Sequence, residues 1–186
     1  MSRIIAGFAS GRKLASPAKS TRPSSDRLKE SLFAMLEARD LLTDANVLDL
    51  FAGTGAVGLE AVSRGAQKLV MVEKDPQAMR VCLENAELVR SHIPDSVEIQ
   101  SIQAPVFKAL ENLVGNFDLI FLDPPYDYPA QKLAENLEQL KPISTGIVII
   151  EKSIKTEMPF IHGWNIIENK KYGDSELVFL TKDVSR

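Results

Sequence analysis

Apolar residues arrive along this chain in two rhythms. From Asn46 onward, short unbroken apolar runs, "NVLDLF", "KLVMVE", "FDLIFLD" and "TGIVIIE", alternate with longer segments whose apolar positions recur every three or four residues. The runs are too short for buried helices and rich in β-branched and aromatic side chains, so they predict strands covered on both faces. Between them, a helix from Ala56 to Arg64 is closed by Gly65, and the next is opened by Asp75 as N-cap with Pro76 in its first turn. Strand "SVEIQSI", a short helix around "PVFKALENL" and helix "PAQKLAENLEQL" continue the alternation. Five strand-and-helix units of this kind predict an α/β fold, a parallel sheet with helices on both faces. The end departs from the pattern: "WNIIENKKYGDSELVFLTK" reads as strand, Gly-Asp turn, strand, an antiparallel hairpin that finishes the sheet.

The first 40 residues have their own pattern. "RIIAGFA" and "SGRKLA" predict two strands around a Ser-Gly turn. "TRPSSDRLKESLFAMLEA" predicts a helix with Ser24 or Ser25 as N-cap, Asp26 in the first turn, and Leu28, Leu32, Phe33, Met35 and Leu36 on one buried face. Residues 1–40 are therefore expected to form a small hairpin and helix belonging to the same domain as residues 41–186.

Composition narrows this to one globular domain of 186 residues. A single cysteine, Cys82, excludes a disulfide framework and a cysteine-based metal site, and suits a reducing cytoplasm. His92 and His162 lie far apart without ligand spacing, so no metal is expected. No segment is long and apolar enough to span a membrane. The net charge of −3 conceals an asymmetry: residues 1–30 carry seven Lys and Arg against Asp26 and Glu30. Such an arm is solvated, or a targeting peptide, or a footprint for a polyanion. Two strands around a turn fit a targeting helix poorly.

Two motifs carry chemistry. "VLDLFAGTGAVG" places Gly53, Gly55 and Gly58 between the first strand and its helix, where glycines let a ligand approach backbone at a helix N-terminus. Dinucleotide folds show the same pattern, but here Asp49 precedes the loop and Glu73 ends the second strand. A carboxylate at Asp49 is awkward beside a pyrophosphate and well suited to the cationic end of S-adenosylmethionine, while Glu73 can accept two ribose hydroxyls; the alternative for Glu73 is a solvated strand-end charge. The second motif is "FLDPPYDY". Each proline fixes its own φ and keeps its predecessor out of the helical region, so Asp123, Pro124 and Pro125 form a stiff extended corner. Such a corner is either plain strand punctuation or a device for aiming groups.

Asp49 to Gly58, Glu73 and "DPPY" at Asp123 to Tyr126 together resemble the Rossmann-like class I S-adenosylmethionine-dependent methyltransferases that act on exocyclic amines. "RIIAGFASGRKL", "TRPSSDRLKESLF" and the late "KYGD" resemble more narrowly the RsmD family, the 16S ribosomal RNA guanine-N2 methyltransferases of the bacterial small subunit. The resemblance implies a seven-stranded, mostly parallel sheet, S-adenosylmethionine as methyl donor, and methylation of the guanine 966 N2 amine within the assembled small subunit. It also implies that Asp49, Gly53 and Gly55 hold the methionine end of the cofactor, Glu73 the ribose, and the loop of Gln103 and Ala104 the adenine, with Phe51 and Lys74 also in the cofactor site. Many methyltransferases carry an aspartate where this chain has Gln103, whose amide can still pair with an adenine edge.

Within that resemblance the stiff corner acquires a purpose. An exocyclic amine is a poor nucleophile because its lone pair is delocalised into the ring. With the Asp123 carboxylate accepting one amine hydrogen and the Pro124 carbonyl the other, the lone pair is directed at the donor methyl. Tyr126 then stacks on the base and Pro125 lines its approach, with Arg3, Arg12, Lys13, Arg22 and Arg27 on phosphates. The competing readings are an adenine-N6 methyltransferase on DNA or RNA, a glutamine-amide methyltransferase, a non-catalytic binding module on the same fold, and, further off, a nicotinamide oxidoreductase.

Overall fold

The computed structural model describes residues 2–16 and 26–183. Seven strands form one sheet: β1 (Asn46–Leu50), β2 (Lys68–Glu73), β3 (Glu98–Gln103), β4 (Phe117–Leu122), β5 (Ser144–Ser153), β6 (Trp164–Tyr172) and β7 (Ser175–Lys182). Their order is β3-β2-β1-β4-β5-β7-β6, with the first five parallel and β7 antiparallel to both of its neighbours. The expected alternation and terminal hairpin are thus present, and the "KYGD" glycine and aspartate turn β6 into β7. From β1 the chain builds outward to β2 and β3, then returns to place β4 on β1's other side. The strand ends Leu50, Glu73, Gln103 and Leu122 consequently meet along one sheet edge, at the switch point where open α/β sheets bind ligands.

Burial on both faces explains the unbroken apolar runs. Val47, Leu48 and Leu50 are fully buried. One apolar cluster lies under α1 (Asp26–Glu37), α2 (Ala56–Ser63) and α3 (Pro76–Arg90), and the other under α4 (Val106–Asn112) and α5 (Ala130–Leu140). The β5 to β6 connection has no helix; instead Ile161 and Trp164 join the second cluster, and Trp164 Nε1 donates to the Leu137 carbonyl at 3.2 Å. Asp118, the one acid inside β4, accepts from Asn46 N–H and Thr145 Oγ1, both at 2.9 Å, and so pins the register where β1 and β5 begin.

The amino-terminal hairpin differs from expectation. Only Arg3 and Lys13 form an antiparallel bridge, rather than two full strands. The reason is a competing acceptor: Ile5 and Ala6 donate their N–H groups to the carboxylate of Glu60 on α2, at 2.8 and 3.0 Å. Phe8 N–H binds the Ser63 carbonyl at 2.7 Å, and Ala9 N–H binds Ser63 Oγ at 3.0 Å. Gly7 has φ +82°, and any Cβ there would lie 1.7 Å from the Ser63 oxygen, so only glycine fits. Ser24 and Ser25, the expected caps of α1, lie outside the described residues.

Glu60 is also where the basic arm loses one of its charges. Lys29 is not solvated but 2% exposed, with Nζ 3.3 Å from Glu60 Oε2, and Arg64 Nε donates to Glu60 Oε1 at 2.7 Å. One buried carboxylate therefore meets two cations and two backbone N–H groups drawn from the hairpin, α1 and α2. Breaking a buried pair leaves its partner's charge uncompensated, which costs about 3–5 kcal/mol. Glu60→Ala is expected to lose stability by about that amount, read as a lower urea midpoint at unchanged slope. A loss below about 1 kcal/mol would show that apolar contacts alone hold the hairpin down.

Candidate active site

The glycine loop begins where β1 stops. Phe51 takes φ 63°, a left-handed value that costs a bulky residue about 1–3 kcal/mol, and it is held there by its surroundings. Its ring meets Tyr128 edge-on at 5.0 Å, and Ala52 N–H is bound to the Val72 carbonyl at 3.0 Å. Gly53 (φ 57°) and Gly55 (φ 77°) continue the left-handed path. Gly55 must also be small, since a Cβ would lie 2.9 Å from Met71 Sδ and 3.0 Å from Cys82 Sγ; at Gly53 it would meet nothing within 4 Å. The loop is held from two sides: Gly53 N–H donates to Glu73 Oε2 at 2.9 Å, and the Thr54 carbonyl accepts from Asn85 Nδ2 at 2.9 Å.

Two carboxylates border this loop. Asp49 is 3% exposed and accepts from Gly58 N–H at 2.9 Å. Burial pushes its pKa up to about 7, the Gly58 N–H offsets part of that rise, and the negative charge of Glu73 adds to it. Glu73, at the tip of β2, accepts from Gly53 and Asp75 N–H groups. Burial, with the charges of Asp49 and Glu73, likewise pushes the Cys82 thiol up to about 12, so it is an inert core group rather than a nucleophile. An acidic donor set of this kind repels a pyrophosphate and accommodates a cationic sulfonium or ammonium group. S-adenosylmethionine therefore fits: Asp49 and the loop backbone at Gly53 and Gly55 would meet its charged end, and Glu73 would accept its ribose hydroxyls. When bound it supplies an electrophilic methyl group.

The remaining predicted residues gather on the same edge. Ala104 N–H binds the Glu73 carbonyl at 3.1 Å, and Gln103 pairs with Glu73 across β2 and β3; Gln103 and Lys74 are exposed. Asp123 N–H reaches the Leu50 carbonyl at 3.4 Å, which brings the "DPPY" corner beside the glycine loop. Asp123 and Pro125 are exposed, Pro124 is half-buried and Tyr126 is 58% exposed. Tyr128 closes the turn, its N–H on the Pro125 carbonyl at 2.8 Å and its hydroxyl accepting from Asn136 Nδ2 at 2.9 Å. Sequence reasoning passed over Tyr128 as a second aromatic after the bend. Its ring against Phe51 physically joins the two motifs.

Asn85 and Glu60 were also missed, since a polar residue on a helix carries no mark of being buried. Arg3, Arg12, Lys13 and Arg27 are exposed on the hairpin and the start of α1, while Arg22 lies outside the described residues. Phe8, 58% exposed at the hairpin turn, adds an aromatic to that basic surface. Among the described residues no cluster of His, Cys, Asp and Glu could hold a metal, and no helix is long and apolar enough to cross a membrane. A shallow pocket lined by Asn46, Lys68, Glu98 and Phe117 opens at the opposite sheet edge, away from all of these groups.

The family model described as conserved hypothetical protein 95 matches residues 2–181. The ribosomal RNA small subunit methyltransferase D of Haemophilus influenzae is 32% identical, over 92% of this chain and 89% of its own. The chain belongs to the RsmD family. The protein of the same name from Escherichia coli K12 is 29% identical over 92% of this chain and 85% of its own. Among solved structures, a hypothetical protein of Thermus thermophilus superposes with a TM-score of 0.78 at 31% identity, covering 96% of this chain and 98% of that one. The magnesium protoporphyrin IX methyltransferase of Synechocystis with bound S-adenosylmethionine, at 12% identity and TM-score 0.66, covers 88% of this chain and 86% of its own and shares the fold alone. The methyl donor of this enzyme is S-adenosylmethionine.

The raised pKa of Asp49 makes folding depend on pH, and an Asp49 that meets the cofactor's cationic end would make binding do so too. Its stability contribution is full below the unfolded value of 3.8 and is lost as pH rises through the folded value of about 7. A cationic ligand favours the ionised form, so binding expels the proton that the unliganded protein holds below about pH 7. Affinity for S-adenosylmethionine, followed by titration calorimetry, is expected to rise between about pH 5 and pH 7 and then level off. Asp49→Asn should flatten that rise and stabilise the unliganded protein at pH 8 relative to wild type, by roughly 4 kcal/mol at most. A rise of wild-type slope in the variant would place the titrating group elsewhere.

Proposed function

We propose that this RsmD-family enzyme transfers a methyl group to the exocyclic N2 amine of a guanine of the 966 type in 16S ribosomal RNA, presented within the assembled small subunit of the cytoplasm. Membership of the family carries the coarser statement, S-adenosylmethionine-dependent methylation of ribosomal RNA. The joining of the "DPPY" corner to the glycine loop, through Asp123 N–H on the Leu50 carbonyl and Tyr128 against Phe51, supports transfer to an exocyclic amine, and the family name supports guanine N2 as that amine.

The chain's own residues divide the work by position. The Asp123 carboxylate and Pro124 carbonyl accept the two hydrogens of the amine, which draws its lone pair out of the base π-system and aims it at the cofactor side of the edge. The Pro124 carbonyl sits on backbone whose φ its own ring fixes, and Asp123, before a proline, is kept out of the helical region, so little reorganisation is needed as charge develops. Tyr126 offers an exposed ring for the base, which must leave its stack because A-form helices hide base edges. Asp49, Phe51, Gly53, Gly55, Glu73, Lys74, Gln103 and Ala104 hold the cofactor. Arg3, Arg12, Lys13 and Arg27 meet phosphates, and Pro125 lines the approach of the base.

Labelled S-adenosylmethionine offered to undermethylated small subunits, naked ribosomal RNA, duplex DNA and protein, with the product nucleoside identified, tests this reading directly. N2-methylguanosine formed in subunits is the expected product; methyladenine, or label in protein, overturns the substrate. Asp123→Ala is expected to keep cofactor affinity and lose turnover by about 10²–10³-fold, as for a missing transition-state acceptor. Glu73→Ala should mainly weaken the cofactor. Arg12→Ala should lower subunit affinity and reduce the magnitude of its salt slope by about one.

A further inference from the structure

Asn85 lies on α3, 1% exposed, between two stretches of backbone that are distant in sequence. Its side-chain oxygen accepts from Ala15 N–H at 2.8 Å, and Nδ2 donates to the Ala15 carbonyl at 3.2 Å and the Thr54 carbonyl at 2.9 Å. Ala15 is the exit of the basic hairpin; Thr54 lies between the left-handed Gly53 and Gly55 of the cofactor loop. Because Gly53 N–H is bound to Glu73 at 2.9 Å, an unbroken chain of contacts runs from Ala15 through Asn85, Thr54 and Gly53 to the ribose acceptor.

The chemistry at this position is narrow. An amide has two donors and an acceptor oxygen, which match the two carbonyls and the N–H presented here. An aspartate of the same shape would set an oxygen against two carbonyls, and a leucine would leave three backbone groups unpaired in the interior. The pairing with both polar groups of Ala15 is what a neighbouring strand would supply, so the hairpin exit is ordered by the same side chain that orders the loop. Two segments ordered by one group share the cost of being ordered: a ligand that fixes either one lowers that cost for the other.

We propose that Asn85 is a positioning residue that couples the two substrates, so that RNA docked on the hairpin tightens cofactor binding in the glycine loop and the cofactor tightens RNA. This rests on the reading of the hairpin as an RNA-docking surface. The coupling must be reciprocal, because it is a single free energy shared between two binding equilibria.

The test uses S-adenosylhomocysteine, which cannot be turned over, and undermethylated small subunits. Equilibrium dialysis gives the affinity for each with and without the other. In the wild type each is expected to tighten the other by the same factor, about fivefold or more. In folded Asn85→Asp that factor should fall to about one, with both single affinities still measurable. Weaker binding of both with the wild-type factor intact would make Asn85 merely structural and overturn the proposal. Should the variant not fold, hydrogen exchange in the wild type decides: Ala15 N–H is expected to gain protection when S-adenosylhomocysteine alone is added, and no gain overturns the coupling. A wild-type factor of one, with Arg12→Ala still weakening subunit binding, overturns the coupling and leaves the hairpin reading standing. Unchanged subunit affinity in Arg12→Ala removes the hairpin reading and this inference with it.

Discussion

Everything at the functional edge depends on β1 and β4 being neighbours. Asp123 N–H on the Leu50 carbonyl, at 3.4 Å, is where the two strands part, and beyond it each becomes a rigid loop of a different kind. One loop is held because its backbone is bonded on two sides, Gly53 N–H to Glu73 and the Thr54 carbonyl to Asn85; the other because two prolines remove φ freedom. Rigid loops launched from adjacent strands keep a fixed separation without direct bonding along their length. The ring contact between Phe51 and Tyr128 then helps to set their relative tilt.

The order of strands follows from the same requirement. A parallel sheet that only grew outward from β1 would bury its first strand beside β2 alone and leave no crevice above it. Returning to add β4 on the other side makes the crevice, and the apolar strands on either side make it stiff. Asp118, accepting from Asn46 and Thr145 near the opposite edge, fixes the register on which the geometry of the ligand edge depends. A slip of one residue would move the Asp123 corner to the wrong face of β4.

The sequence carried the architecture well because burial on two faces writes itself as continuous apolar runs, and because glycine and proline mark positions where few other residues can stand. "VLDLFAGTG" and "DPPY" were legible for that reason, as were the strand-end acids Asp49 and Glu73. What stayed hidden was the set of polar groups whose meaning depends on long-range partners. Glu60 and Asn85 sit on helices among ordinary polar neighbours, and nothing local separates a buried acid from a solvated one. The hairpin illustrates the consequence. Two good strand patterns around a Ser-Gly turn formed only one bridge, because N–H groups meant for a partner strand found the carboxylate of Glu60 instead. Lys29 counted as part of a basic surface in composition, yet in the fold it neutralises that same acid.

Asp49 gives the clearest conflict between folding and function in the molecule. A carboxylate buried beside Glu73, with its pKa pushed up to about 7, weakens the unliganded protein at neutral pH, and a neutral amide that kept the Gly58 N–H bonded would sit there at less cost. The left-handed Phe51 adds strain to the same loop. Both penalties are confined to the rim of a sheet whose interior strands are fully buried, so they are borne locally. A cationic ligand relieves the first by restoring the charge balance that folding disturbed, and the relief is available only to a ligand of that sign. On the function proposed above, preference for a sulfonium cofactor over a dinucleotide would rest on Asp49, because an acid at the tip of β2 accepts ribose hydroxyls in both kinds of fold.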